Sequence, residues 1–144
     1  MTHVDLKRIR DEKQLKTMRE IEQAGHCPFC GDNLLLYHKE PILKETERWL
    51  LTKNQWPYKN SRVHLLAIYK DHKTHIDQIP PEAGYELFDL MRWAVQEYDM
   101  RGGAVVWRFG DTKYTGGSVS HLHAQLVTAD VDAPGYEPIR FFLG

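Results

Sequence analysis

The chain has 144 residues, a formal net charge of -1, and 42% hydrophobic against 27% charged residues, the balance of one soluble globular domain able to bury a core. Its near-neutral charge offers no broad attraction to polyanions, which excludes a nucleic-acid backbone or an anionic membrane as principal partner and leaves a small ligand held by local groups. No run approaches the roughly 20 apolar residues that span a bilayer, and the charged stretch from Met1 to Gln23 lacks the apolar centre of a secretory signal, so the expected location is the cytoplasm.

From Asp5 to Ala24 the sequence is rich in Lys, Arg, Glu and Gln, with Leu6, Ile9, Leu15, Met18 and Ile21 mostly about three apart, which predicts an amphipathic helix ended by Gly25. Cys27-Pro28-Phe29-Cys30-Gly31-Asp32-Asn33 reads as a turn-rich knuckle, and Leu34 to Tyr37 and Arg48 to Leu51 as short strands separated by Pro41. After the loop Asn54-Gln55-Trp56-Pro57-Tyr58, Val63 to Tyr69 makes a third strand. Pro80 and Pro81 open a helix that continues through Leu87, Leu90, Met91, Ala94, Val95 and Tyr98 at helical spacing. Gly102-Gly103 breaks it, Ala104 to Phe109 forms a fourth strand, and a loop holding Gly110, Gly116 and Gly117 leads to a fifth at His121 to Val127. The order predicts an antiparallel α+β meander, with the tail from Asp130 to Gly144 left unassigned.

In the last strand, alternation puts His121, His123 and Gln125 on one face and Leu122, Ala124 and Leu126 on the other. The preceding Thr115-Gly116-Gly117-Ser118-Val119-Ser120 offers glycines that let backbone N–H groups approach an anion, plus hydroxyl donors. Imidazole beside a held phosphate can attack phosphorus and split one displacement into two. The cysteines, Cys27 and Cys30, form a Cys-x-x-Cys pair, which in a reducing compartment is metal-binding or redox-active. No thioredoxin-like strand then helix follows it, which favours zinc. His3, His26, His38 and His64 read as structural or surface residues, and Arg108, Lys113 and Tyr114 as solvated groups near the glycine loop.

Gly116-Gly117-Ser118-Val119-Ser120-His121-Leu122-His123-Ala124-Gln125-Leu126-Val127 resembles the signature of the histidine triad superfamily. The likeness extends through Cys27/Cys30, the Asn54 to Pro57 loop, Lys70-Asp71-His72, the Pro81 helix and Gly117 to Gln125, covering residues 27 to 128. The third histidine of the triad is here Gln125, as in the galactose-1-phosphate uridylyltransferase branch and some dinucleoside polyphosphate phosphorylases.

The resemblance implies a histidine-triad-like core over 27–128 holding a five-stranded antiparallel sheet with a long packed helix; with the helix read from periodicity over residues 1–24 and a tail over 129–144, the whole is expected to be one domain. It implies a homodimer. It makes His123 the nucleophile that takes up a nucleotidyl group, Gln125 a donor to the phosphoryl oxygens, Gly117 and Ser118 part of the phosphate cradle, and Asn54 a contact to the ribose; Trp49, Leu51 and Trp56 are candidates to pack around a base. Glutamine is no general acid, so the resemblance implies transfer to phosphate or a sugar phosphate more than simple hydrolysis, with a dinucleoside polyphosphate or nucleotide sugar as substrate. Cys27 and Cys30 supply half of a tetrahedral zinc site, and the resemblance points to His72 and His121 as the other ligands, with His75 the local competitor for His72. The rival readings are a zinc-stabilised module that senses a nucleotide without turnover, and a thiol redox protein.

Overall fold

A computed structural model describes residues 3–9 and 11–144. The predicted first helix runs through Arg10, outside the described residues; those around it form a 3-10 turn at Leu6–Arg8 and helix α1 (Glu12–Ala24). Asp11 caps α1 by accepting a hydrogen bond from the Gln14 N–H, and Gly25, at a φ of 72° that glycine adopts without strain, ends it. Next come α2 (Asn33–Tyr37), β1 (Ile42–Glu45), β2 (Trp49–Lys53) and β3 (Ser61–Tyr69), then α3 (Pro81–Glu97), β4 (Ala104–Arg108), the single-turn α4 (Thr112–Thr115) and β5 (His123–Ala129).

The five strands form one antiparallel sheet in the order β1-β2-β3-β5-β4. The last strand therefore sits inside the sheet, flanked by β3 and β4. On one face α3 lays Ala83, Leu87, Leu90 and Ala94 against Trp49, Leu51, Leu65, Ala67, Leu122, Ala124 and Leu126. Burying each large side chain here is worth about 1.5–3 kcal/mol, and the buried Trp49 indole is satisfied by donating to the Ala83 carbonyl at 2.8 Å. On the opposite face lie two smaller apolar clusters: Leu34, Leu66 and Ile68, and Val4, Met18, Ile21 and Val119.

The sheet has the predicted number of strands, but one is not where it was expected. Leu34 to Tyr37 is the helical turn α2, and the strand is Ile42–Glu45. The knuckle continues through bonds from the Leu34 N–H to Gly31 and from the Leu35 N–H to Asp32, and a four-residue apolar run has no period of its own to oppose that turn. Leu34 is buried, whereas Leu35 and Leu36 are 71% and 58% exposed. Trp49 and Leu51 face α3, so neither packs around a ligand on the other side; Trp56 does line the opposite face. Strand β5 opens at His123, with His121 just before it.

Candidate active site

The register of β5 assembles the site. His123 pairs with Ile68 on β3 and Arg108 on β4, and Gln125 pairs with Leu66 and Val106. Leu122, Ala124 and Leu126 point into the α3 core, so His123 and Gln125 point away from it, into a cleft on the opposite face of the sheet. Met18, Ile21, Phe29 and Leu34 form the apolar wall, Asn54, Gln55 and His38 add polar groups, and Arg108 and Arg140 bring cations.

His123 is buried and its Nδ1 lies 2.6 Å from the His121 carbonyl oxygen. A carbonyl only accepts, so Nδ1 carries the hydrogen and Nε2 keeps its lone pair. Burial holds this imidazole below the ordinary histidine range; the hydrogen bond to His121 opposes that and the nearby Arg108 charge reinforces it. The ring is therefore neutral at pH 7 and nucleophilic at Nε2. Phe29 packs edge-on against it at 5.3 Å between centroids.

Gln125 is oriented by a relay that begins in the backbone. The Tyr58 N–H donates to His64 Nδ1 at 3.0 Å, which leaves the His64 hydrogen on Nε2, and that N–H donates to Gln125 Oε1 at 2.6 Å. With its oxygen thus engaged, the Gln125 carboxamide keeps its NH2 for the cleft. Asn54 Nδ2 lies 3.3 Å from the same His64 nitrogen, a contact between two donors, while Asn54 Oδ1 accepts from the Trp56 N–H at 2.9 Å. Asn54 thus shapes its own loop as well as lining the cleft.

Ahead of β5, Asp111 caps α4 and Gly116, at φ 70°, terminates it. Gly117 and Ser118 line the cleft as expected, but the Gly117 N–H is engaged by Thr115 Oγ1 at 3.1 Å, so this amide is not presented to an anion. What these glycines provide is room: a Cβ on Gly117 would stand 3.4 Å from Arg108 Cδ, and one on Gly116 2.7 Å from the Phe142 carbonyl oxygen. The N-terminal segment fastens the loop through the Asp5 N–H to Ser118 O and the Ser120 N–H to His3 O, both 2.8 Å.

A second cluster adjoins the first. One ligand atom from each of Cys27, Cys30, His72 and His121 lies within 4.8 Å of the others. Cys27 Sγ is 3.3 Å and Cys30 Sγ 3.5 Å from His121 Nδ1, Cys30 Sγ is 3.2 Å from His72 Nδ1, and the two Nδ1 atoms are 3.2 Å apart. Zinc, with bonds of about 2.3 Å to sulfur and about 2.0–2.1 Å to nitrogen, places tetrahedral ligand atoms roughly 3.3–3.8 Å apart, so the donor set fits. His121 Nε2 lies 2.6 Å from the Tyr69 carbonyl oxygen, to which it donates, leaving Nδ1 as the ligand atom. Burial pushes His121 down to about 4 and the Cys27 thiol up to about 12, the reverse of the low-pKa thiolate that disulfide exchange requires. His75 stands apart, paired with Asp77 at 2.9 Å.

Three groups read as bystanders in the sequence belong to this site: His38, His64 and Arg108. His64 shares the cleft-facing parity of Leu66 and Ile68 on β3, and a histidine at such a position in an apolar strand was the available signal. Arg108 lines the cleft, while Lys113 is exposed as expected.

No family model matches the chain, and no curated protein does. Solved structures do: a zinc-bound histidine triad family protein from Mycobacterium smegmatis is 20% identical, with 80% of this chain and 82% of that one covered at a TM-score of 0.57. A HIT family hydrolase from Clostridium thermocellum is 24% identical over 76% of this chain and 95% of that one, at a TM-score of 0.56. A histidine triad protein from Clostridium difficile is 23% identical over 77% and 96%, at a TM-score of 0.57. The α+β fold is that of the histidine triad proteins.

Proposed function

We propose that this chain is a histidine triad enzyme that transfers a nucleoside monophosphate group through a covalent intermediate on His123. The observation that carries the reading is the fixed tautomer of His123: Nδ1–H is held by the His121 carbonyl and the Nε2 lone pair is left to attack in the cleft that His123 and Gln125 line together. The Nε2 lone pair forms a bond to the α-phosphorus, the P–O bond to the leaving group breaks, and the leaving oxygen takes that bond's electrons. The Gln125 NH2, oriented through His64, donates to a non-bridging oxygen as charge develops. Ser118 adds a hydroxyl at the cleft, and Asn54, which also lines it, is assigned the contact to the ribose. In the second half, water or a phosphate-bearing acceptor displaces His123; with water, one proton passes to solvent.

Cys27, Cys30, His72 and His121 would hold zinc as a closed structural site, with no open position for a substrate. The ion would fix His121, and through its carbonyl the Nδ1–H of His123. We further propose a homodimer, built on the edge strand β4 and the outer face of α3, where Val105, Tyr85 and Phe88 are exposed apolar groups.

Dinucleoside polyphosphates and nucleotide sugars, with and without added phosphate, would be assayed for release of nucleoside monophosphate or diphosphate. Turnover that vanishes in His123→Asn supports the proposal. Tight nucleotide binding with no turnover by the unaltered protein would overturn it in favour of a sensing module.

A further inference from the structure

His38, which lines the cleft, is held in one tautomer by the strand beneath it. The Thr52 hydroxyl donates to the Pro41 carbonyl at 2.8 Å, and the same Oγ1 lies 2.7 Å from His38 Nε2. Both contacts are made at once only if Nε2 carries the hydrogen and donates to Thr52, which leaves Nδ1 with its lone pair. Burial holds this imidazole below the ordinary histidine range, against the attraction of Glu40, so it is neutral at pH 7. One carboxamide clamps the backbone on either side: the Lys39 N–H donates to Gln55 Oε1 at 2.9 Å, and Gln55 Nε2 donates to the Tyr37 carbonyl at 2.8 Å. Among the described residues His38 Nδ1 meets no partner, and it is not sealed from solvent. The sheet sets its distance from the chemistry. Thr52 pairs with Leu66, and Leu66 with Gln125, so the anchor of His38 stands two strands from Gln125, about 10 Å at the usual strand spacing.

We propose that His38 selects the base: its Nδ1 lone pair accepts a hydrogen bond from an exocyclic amino group, so the cleft takes a base that carries an amino group at this edge and rejects the counterpart that carries an oxo group there. This rests on the cleft holding a nucleotide with its phosphate at His123, and adds to that reading which nucleotides it takes. A nucleoside monophosphate laid across β5, β3 and β2 brings its base over Thr52, with Met18, Ile21, Leu34 and Trp56 as apolar surface for the ring. Such surfaces accept the face of any base; only the edge distinguishes one base from another. An amino N–H completes the hydrogen bonding of Nδ1. An oxo group instead sets its lone pairs against that of Nδ1 and leaves two acceptors without donors, the kind of mismatch that discriminates most strongly in a water-poor site. The choice of histidine matters here. A glutamine or asparagine could turn its amide over to suit either group, whereas His38 can present a hydrogen at Nδ1 only by giving up its bond to Thr52.

Calorimetry at pH 7 with three monophosphates that share ribose and phosphate tests this without turnover: adenosine monophosphate, purine riboside monophosphate, which has hydrogen in place of the amino group, and inosine monophosphate, which has an oxo group there. The unaltered protein is expected to bind them in that order, with the inosine nucleotide about 10- to 100-fold weaker than the adenosine nucleotide. In His38→Phe the two should come within about threefold of each other, through loss of adenosine binding. Thr52→Val, of nearly the same shape, removes the acceptor that fixes the tautomer; His38 can then turn a hydrogen toward the cleft, so the inosine nucleotide should bind more tightly than it does to the unaltered protein. A merely structural role would weaken all three ligands together. Equal affinities for the adenosine and inosine nucleotides in the unaltered protein, or a preference that survives His38→Phe, would overturn His38 as the selector. Binding of none of the three would overturn the nucleotide reading on which it rests. The comparison within the unaltered protein needs no variant, so a folding defect in either substitution leaves the proposal open to refutation.

Discussion

The two faces of the sheet are made from alternate residues of the same strands, yet they are built to different ends. Beneath α3, β5 contributes Leu122, Ala124 and Leu126 to a continuous apolar core. One residue out of phase, the same strand contributes His123 and Gln125, which are also buried but whose polar atoms are individually assigned. The first face depends on volume and tolerates shape changes within limits; the second depends on which nitrogen carries a hydrogen. Burial serves stability on one side and holds an imidazole neutral on the other.

Substitutions on the two faces should therefore separate stability from turnover. The largest expected effect on stability comes from the Cys27, Cys30, His72 and His121 cluster, where the proposed zinc site predicts that Cys27→Ser or prolonged chelation removes one stoichiometric ion. Folding energy of several kcal/mol goes with it, read as a melting temperature lower by about 10 °C or more. On the apolar face, Leu90→Ala should cost about 2–5 kcal/mol in denaturant titration while kcat of the folded fraction stays within about twofold of its starting value.

On the cleft face the pattern should invert. His64→Ala removes the group that fixes Gln125, so kcat is expected to fall about 10- to 100-fold, and combining it with Gln125→Ala should add little because both remove the same contact. Losses that simply multiply would mean that His64 does not act through Gln125.

The smallest effect concerns Glu86, whose Oε2 lies 2.6 Å from Arg48 Nη1 and joins the start of β2 to α3. Burial would raise this carboxyl, but hydrogen bonds from Arg48 and Thr46 outweigh it and hold the pKa below the ordinary value. A depressed carboxyl stabilises the fold at pH values above its unfolded pKa of about 4.3 and loses that contribution as pH falls below it. Glu86→Gln should accordingly narrow the gap between the melting temperatures at pH 7 and pH 3.5, and an unchanged gap would remove Glu86 from the account.

Much of this division was legible in the sequence because a strand's period of two is local: the parity of Leu122 through Gln125 alone separates the core from the cleft. The knuckle at Cys27/Cys30 was legible for the same reason. What escaped was long-range or too short to have a period. His64 and Gln125 are 61 residues apart and meet because β5 inserts beside β3. Arg108 meets a tail that the sequence left unassigned. Leu34 to Tyr37, an apolar run of four, turned with its knuckle instead of extending, and Trp49 fell on the α3 face, which its aromatic character could not reveal. His72 and His121 were grouped with the cysteines through resemblance alone, since neither lies near them in sequence.

The central claim is that the cleft face carries a nucleotidyl group on one defined nitrogen. Quenching the enzyme during turnover of a dinucleoside triphosphate and measuring the mass of its peptides tests this directly. The account predicts an acid-labile increase of one nucleoside monophosphate on the peptide at His123, absent in His123→Asn. Turnover proceeding with no adduct, or with the adduct on another residue, would contradict it.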